Sequence, residues 1–169
     1  MPVGNHYPRC YTRPVDLRSL SLQRLLDVPW VAFDTEATGY SNVTDRLIEV
    51  AGVRFHREPG QWVIDGEYSE LPTPGRPIPQ GTTNGHGLTD TDVVTATLPL
   101  EVLERFFKFA EGAVLIAHYA PFDVGAIAFA HVRQGRGVPE FFILDTFTLS
   151  KLGVPGLPKY SLATIAESL

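Results

Sequence analysis

The chain has 169 residues, 44% of them hydrophobic, and a formal net charge of −5. These values predict a compact domain with a core. They exclude a disordered chain. The sequence contains no basic run that would attract nucleic acid, and no apolar run near the ~18 residues of a membrane span. Cys10 is the only cysteine, so no disulfide can form within the chain. Since no apolar N-terminal signal segment is present either, we expect a cytoplasmic protein.

The first part of the chain predicts an appendage. Residues 1–14 have the composition of an irregular arm, and leucines at helical spacing between residues 17 and 26 predict a short helix. Pro29 ends that helix, because the residue before a proline avoids helical conformation. We therefore expect residues 1–29 to precede a single domain over residues 30–169.

Three strands are predicted next. Residues 30–36 form a buried first strand, residues 47–55 a second and residues 61–71 a third. Residues 56–60 contain a glycine and predict the hairpin loop between the second and third strands. These three strands form the first half of the predicted sheet.

A segment rich in proline, glycine and threonine separates the two halves. Residues 72–87 are too many for a simple turn and predict a surface loop beside the site. Thr89 is the predicted cap of a short helix, with Asp92 as a weak capping-box partner.

The second half alternates helices with strands. Helices are predicted at residues 100–110, 121–134 and 146–152, strands at residues 113–118 and 141–144, and a final helix capped by Ser161. Strands that are grouped first and then alternate with helices predict an α/β fold with a mixed five-stranded sheet flanked by helices. The last helix is cut short at Leu169.

Three carboxylates carry the chemistry. Asp34 and Glu36 are two residues apart on the first predicted strand, so their side chains point to the same face. Like charges on one face are costly, and a divalent metal is the usual counter-charge for hard oxygen ligands. Asp123 follows the fourth strand and can reach the pair if that strand lies beside the first. A solvated strand face is the alternative interpretation of the pair alone.

These residues lie in blocks that resemble the DnaQ-like 3′→5′ exonucleases of the DEDDh group, a branch of the ribonuclease H-like fold. Residues 33–39 resemble the first motif, FDxETTG, and residues 118–123 the second, HNAxFD. Leu144-Asp145-Thr146 and then Tyr160-Ser161-Leu162 resemble the approach to the third. The segments 45–51 and 86–89 match the polymerase proofreading subgroup.

The resemblance implies hydrolysis of phosphodiester bonds at a DNA or RNA 3′ end, with release of nucleoside 5′-monophosphates. Two ions of Mg²⁺ or Mn²⁺ would lie at the scissile phosphate, with Asp34 as the shared ligand and Glu36 and Asp123 completing the set. A DNA polymerase is the implied protein partner. The residues expected at the terminal nucleotide are Thr35, Ala37, Thr38, Gly39 and Tyr40.

The chain departs from the family pattern in three places. Ala37 replaces a threonine, and Tyr119 replaces the asparagine of the second motif. The third motif's histidine base and fourth aspartate would lie beyond Leu169. Losing a general base costs about 10²–10⁴-fold in rate, so we expect residues 1–169 as such to be inactive or very weakly active.

Two other functions stay open at this point. One is a catalytically deficient domain that binds nucleic acid or a polymerase without cutting. The other is a ribonuclease H or transposase-type endonuclease, which the Asp34 and Glu36 pair followed by the second motif disfavours.

Several polar residues have structural interpretations that we prefer to functional ones. We expect His118 to shape a strand end, His86 to order its loop and Asp145 to hold a turn or cap a helix. Tyr40 is evenly balanced between packing and nucleotide contact. We favour solvated loop charge over phosphate contact for four cations: Arg133, Arg136, Lys151 and Lys159.

Overall fold

The structure, a computed structural model, describes residues 25–169. The predicted arm over residues 1–14 lies outside these residues, and so does most of the helix predicted for residues 17–26. Leu25 and Leu26, its last two positions, are helical. In the described part of the chain, no helix is both long and apolar enough to cross a membrane.

A five-stranded sheet forms the centre of the fold. Its strands are β1 (Trp30–Ala37), β2 (Leu47–Glu58), β3 (Gln61–Glu70), β4 (Val114–Ala117) and β5 (Ile143–Asp145). They lie in the order β3-β2-β1-β4-β5. The hairpin neighbours β1–β2 and β2–β3 are antiparallel, whereas β1–β4 and β4–β5 are parallel. The mixed five-stranded sheet predicted from the sequence is confirmed.

Helices cover the sheet and connect its parallel strands, as parallel pairing requires. Within the described residues they are α1 (Gln80–His86), α2 (Pro99–Phe109), α3 (Pro121–Arg133), α4 (Thr146–Gly153) and α5 (Leu162–Ser168). The main core joins Phe33 of β1 to Phe106 of α2 and Ile127 of α3. A methyl group at Gly52 would lie 3.3 Å from Val31 Cγ1 and 3.4 Å from the Phe106 ring, so the glycine stands at a closely packed point of the sheet.

Alternation along β1 positions the candidate site. Val31, Phe33, Thr35 and Ala37 are buried on the face that α2 and α3 cover. Asp34 and Glu36 therefore lie on the opposite face, near the carboxyl end of the strand. The pairing of β1 with β2 shifts register between Glu36 and Ala37, so an irregularity lies beside the two carboxylates.

The segment predicted as a loop, residues 72–87, contains the helix α1. The prediction was wrong here because no residue of α1 is buried, so no apolar stripe marks the helix in the sequence. Gly87 ends α1 with a left-handed φ of 79°, which glycine adopts without steric cost.

Three further local predictions are corrected. Thr89 begins a turn and not a helix, because its N–H and Oγ1 both donate to Asp92 Oδ2, at 2.7 and 2.6 Å, and close the chain on itself. The hairpin loop is shorter than predicted: β2 continues to Glu58, and Gly60 completes the turn at a φ of 86°. β5 starts at Ile143 rather than at residue 141.

Candidate active site

Asp123 is held against β1 by Thr35. It lies in the first turn of α3 with 1% of its surface exposed. Thr35 donates to Asp123 Oδ1 from its backbone N–H at 2.9 Å and from Oγ1 at 2.8 Å. β4 does lie beside β1, as the sequence argument required, and Asp123 approaches β1 from the core side. The first contact of Asp123 is therefore Thr35 and not another carboxylate.

The predicted carboxylates influence one another electrostatically. Burial raises the pKa of Asp123 to about 7, against the hydrogen bonds from Thr35, and the charge of Asp34 adds to the rise. Burial also raises the pKa of Asp34 and of Glu36, and the Asp34 charge raises that of Glu36 further. None of the three has an ion pair with a described lysine or arginine. The site thus holds acidic groups without a cationic side chain from residues 25–169 to balance them.

Glu49 is a fourth acidic residue that the sequence argument missed. It lies directly opposite Glu36 in the antiparallel β1–β2 pair, so both side chains share one face. Its charge raises the pKa of Asp34 and of Glu36. Ser69 Oγ donates to Glu49 Oε1 at 3.1 Å and holds it on the sheet. Local spacing in the sequence does not mark Glu49, because its place opposite Glu36 follows from the pairing of β1 with β2.

The donor chemistry fits a hard divalent cation. All four groups are carboxylates, which Mg²⁺ and Mn²⁺ prefer, and their unneutralised charge favours a cation nearby. Within residues 25–169, however, no three His, Cys, Asp or Glu side chains are grouped closely enough to hold a metal ion. The assignment of Asp34, Glu36 and Asp123 as ligands therefore stays a prediction.

A pocket of about 60 Å³ opens beside Glu36. Of the predicted nucleotide-contacting residues, Ala37, Gly39 and Tyr40 line it, whereas Thr35 and Thr38 do not. The remaining lining residues come from α1 and the start of α3: Thr82, Gly85, His86 and Phe122. The pocket therefore has walls from both the first motif and α1, the helix that was predicted as a loop.

Tyr40 and Thr38 differ in their roles. The Tyr40 side chain is 91% exposed, so the structure does not support packing as its role. Thr38 is buried, and its Oγ1 donates to Asp45 Oδ1 at 3.2 Å and accepts from the N–H of Arg46 at 3.0 Å. Thr38 thus orders the loop after β1, and Tyr40 is available to a ligand.

His86 is both a loop-ordering residue, as predicted, and part of the pocket wall. Its Nδ1 accepts a hydrogen bond from the N–H of Leu88 at 3.1 Å. The proton of the neutral ring therefore lies on Nε2. That nitrogen is buried and has no hydrogen-bond partner in the described part of the chain. His86 consequently offers an unused donor at the pocket, which spacing in the sequence alone could not indicate.

Asp145 and His118 have the structural roles expected from the sequence. Asp145 caps α4 and accepts from the N–H groups of Tyr119, Ala120 and Phe147. His118 Nε2 donates to the carbonyl of Tyr160 at 2.7 Å, and its Nδ1 lies 3.1 Å from Thr146 Oγ1. Both ring nitrogens of His118 are occupied.

Comparison with known proteins identifies the family. A family model described as an exonuclease, of the RNase T type, matches residues 31–169. The chain belongs to this exonuclease family. The match covers β1 and α3, and therefore all three predicted carboxylates.

A curated relative extends the comparison. A DNA polymerase III subunit epsilon-like protein of Rhodobacter capsulatus is 38% identical over 141 residues, which are 83% of this chain and 20% of that protein. The exonuclease domain described here thus spans about a fifth of that relative's length. Together with the family match, this similarity confirms the resemblance to DnaQ-like exonucleases.

Two solved structures share the fold. One is exonuclease X in complex with 5′-overhanging duplex DNA, with a TM-score of 0.61 and 22% identity over 82% of this chain and 72% of that one. The other is the zinc-bound form of an E. coli ExoI–ssDNA complex, with a TM-score of 0.67 and 14% identity over 82% of this chain and 34% of that one. At these identities the similarity supports the ribonuclease H-like fold and nothing finer.

Proposed function

We propose that this chain is the nuclease domain of a metal-dependent 3′→5′ exonuclease that releases nucleoside 5′-monophosphates from nucleic acid. The observation that carries the proposal is the shared upward shift in pKa of Asp34, Glu36 and Asp123, which have no described cationic partner. A divalent cation would neutralise such a site and could then attract the negatively charged phosphate. Membership in an exonuclease family supports the same reaction class.

Asp34, Glu36 and Asp123 are the residues that would hold the divalent ions, for which we propose two ions of Mg²⁺ or Mn²⁺. When bound, such ions supply charge stabilisation at the phosphate and lower the pKa of a bound water. Thr35 fixes Asp123 by two hydrogen bonds, so this carboxylate keeps its orientation before any ligand arrives. Glu49 adds negative charge on the face of Glu36 and strengthens the attraction for cations.

The pocket beside Glu36 is the proposed place of the terminal nucleotide. The exposed ring of Tyr40 can stack on a base, a contact that tolerates any sequence. His86 Nε2 can donate to an acceptor atom of the nucleotide and so satisfy its unused hydrogen bond. Gly39 lines the pocket, and a side chain at this position would collide with the carboxylate of Asp45.

A 5′-labelled strand tests this function. We expect 5′-labelled single-stranded DNA or RNA, incubated with Mg²⁺ or Mn²⁺ and excess protein, to give a slowly forming ladder that shortens from the 3′ end, in keeping with the very weak activity expected of residues 1–169. Asp34→Asn should lower the rate by roughly 10²-fold or more, because it removes charge from the proposed metal site. Asp27→Asn is the matched control, since Asp27 is exposed and lies before β1. Internal fragments, or equal rates for both variants, would contradict the proposal.

A second function is favoured by one observation. Both ring nitrogens of His118 are engaged in hydrogen bonds, and Asp145 is engaged as a helix cap, so neither side chain is free to serve as a base. We infer as the alternative that the chain binds a 3′ end, beside a DNA polymerase, without cutting it. In that case wild type would bind the strand in Mg²⁺ and form no product, and Asp34→Asn would leave product formation unchanged.

A further inference from the structure

Three arginines converge on the short loop that follows β1. This loop, residues 41–45, is approached by Arg46 from its own carboxyl end, by Arg76 from the proline-rich segment and by Arg133 from the last turn of α3. The three are far apart in the sequence and are brought together only by the fold. Each donates hydrogen bonds to backbone carbonyls of the loop.

Two of these guanidinium groups share a single acceptor. Arg46 Nη1 donates to the carbonyl of Thr44 at 2.8 Å, and Arg76 Nη1 donates to the same oxygen at 2.9 Å. Two unit positive charges are therefore held side by side on one carbonyl. Such a pair repels itself unless an anion lies nearby.

Arg133 adds the third charge from the other side of the loop. Its Nη2 donates to the carbonyls of Asn42 and Val43, at 2.6 and 2.9 Å. Burial lowers the pKa of Arg133, and the charges of Arg46 and Arg76 lower it further. The positive charges of the three arginines therefore interact across residues 41–45.

The loop offers little negative charge in return. Among the described residues, none of the three arginines forms an ion pair with a carboxylate. Asp45 is the carboxylate whose charge acts on Arg133, and its two oxygens already accept from Thr38 Oγ1 and the N–H of Ser41. The protein is acidic overall, with a net charge of −5, so this group is a local exception.

The arginines also retain hydrogen-bonding capacity. A guanidinium carries five N–H donors, and each of the three uses only one terminal nitrogen for the loop carbonyls. The unused donors suit an anion with several oxygens, and arginine binds phosphate through this fork geometry. Arg76 is exposed and so is open to a ligand from solvent.

The position of the loop suggests which phosphate binds. Gly39 and Tyr40, just before the loop, line the pocket, and so does Phe122. Asn42 Nδ2 donates to the carbonyl of Phe122 at 3.2 Å and ties the loop to the start of α3. The arginines are therefore separated from the pocket by a single loop. A strand that ends in the pocket can reach them with another part of its backbone.

We propose that Arg46, Arg76 and Arg133 form a phosphate-binding site for the nucleic-acid strand whose 3′ end occupies the pocket. This site contacts a phosphate other than the scissile one, and it rests on the proposed function for the identity of its ligand. It supplies the positive charge that the composition of the chain did not indicate. It also reverses our preference for solvated loop charge at Arg133.

Strand affinity tests the site. The anisotropy of a labelled single-stranded oligonucleotide, measured in EDTA so that the strand stays intact, gives the Kd. We expect Arg76→Gln to weaken binding about fivefold and to reduce the slope of log K against log[salt] by roughly 0.7, the value for one lost phosphate contact on a single strand. Arg76→Lys, which keeps the charge and loses the fork, should give a smaller loss of affinity.

Arg57→Gln is the matched control. Arg57 is an exposed arginine near the far end of β2, roughly 25 Å along the strand from Glu49. The Arg57→Gln variant loses the same charge as Arg76→Gln but leaves the loop unchanged. Its Kd and salt slope should therefore equal those of wild type. Equal losses in Arg76→Gln and Arg57→Gln would overturn the proposal.

Two further outcomes would also overturn it. If Arg76→Gln lowers the melting temperature but leaves the salt slope unchanged, the arginine only fastens the loop. If inorganic phosphate stabilises wild type through Arg76 while strand affinity is independent of Arg76, the site takes free phosphate and not a strand.

The same variants separate this proposal from the proposed nuclease function. Strand binding that depends on Arg76, without any cleavage in Mg²⁺, would leave the phosphate site standing and remove the nuclease function. Cleavage that depends on Asp34, together with Kd values that do not change when Arg76 is replaced, would leave the nuclease function standing and remove the phosphate site.

Discussion

Thr35 and Asp123 join the first strand to the helix that carries the second motif. Two hydrogen bonds, one from the backbone N–H and one from Oγ1 of Thr35, end on the same oxygen, Asp123 Oδ1. Thr35 points to the core side of β1, between the outward-facing Asp34 and Glu36. The position of Asp123 at the site therefore depends on a residue that faces away from the other two carboxylates.

Replacing Thr35 should destabilise the protein through Asp123. Thr35→Val keeps the volume but leaves a buried, charged carboxylate with one donor fewer, which costs about 1–3 kcal/mol. We expect urea unfolding at pH 8 to show this loss. Thr35→Ser keeps the hydroxyl and should lose clearly less. Equal stability of the valine and serine variants would mean that the hydroxyl bond contributes nothing.

The raised pKa of Asp123 makes stability depend on pH. The folded-state pKa, about 7, exceeds the ordinary aspartate pKa of 3.8, so the folded state binds more protons between these two pH values. The stabilisation is complete below the unfolded pKa and is lost as pH rises toward 7. In EDTA, wild type should lose about 2–3 kcal/mol between pH 5 and pH 8 relative to Asp123→Asn.

Asp27→Asn is the control for that measurement. Asp27 is exposed, so this variant should follow the wild-type pH dependence. A pH dependence for Asp123→Asn that matches wild type would show that Asp123 does not titrate in this range.

Glu49 should act on the site through its charge. Glu49→Gln removes the like charge opposite Glu36, which lowers the pKa of Asp34 and Glu36 toward ordinary values. We expect the metal-free protein to gain up to about 1 kcal/mol at pH 8 and its Mn²⁺ affinity to fall about threefold. Both quantities are measured by calorimetry. Glu104→Gln, on the exposed face of α2, should change neither the stability of the metal-free protein nor its Mn²⁺ affinity. A gain in Mn²⁺ affinity would contradict this role.

Tyr119 should be a site of backbone strain. Its φ is 63°, in the left-handed region that costs a residue other than glycine or asparagine roughly 1–2 kcal/mol. Its ring is 57% exposed and meets Phe147 edge-on, with ring centroids 5.6 Å apart. Tyr119→Asn relieves the strain and loses that contact, so we expect a net gain of about 0.5 kcal/mol and a melting temperature about 1–2 °C higher.

Tyr119→Ala separates the two contributions. It loses the contact with Phe147 and keeps the left-handed strain, so it should melt below wild type. An alanine variant as stable as the asparagine variant would show that backbone strain at Tyr119 does not determine the difference in stability.

Elements with an apolar period or a capping side chain were predicted from the sequence, whereas α1, which has no side-chain cap and buries no residue, was not. β1 and α2 bury one face each, and their residues alternate or repeat accordingly. α1 buries none of its residues, so the sequence contains no period from which to recognise it. The left-handed conformation of Tyr119 likewise appears only in the structure.

The residues of the candidate site also fall into a group that the sequence predicted and a group that it did not. Asp34, Glu36 and Asp123 were predicted as site residues because motifs are local in sequence. Glu49 and the three arginines act through strand register and loop contacts between distant segments, which local spacing does not encode. Positive charge in this protein is assembled by the fold and is absent from any run of the sequence.

Calorimetric titration with Mn²⁺ tests most directly whether the three carboxylates form one cation site. We predict that wild type binds Mn²⁺ and that Asp34→Asn and Asp123→Asn each lose about tenfold or more in affinity. The double variant should lose less than the product of the two single effects, because ligands of one site are not independent. Wild-type affinity in both single variants, with Asp27→Asn as the reference, would contradict the account.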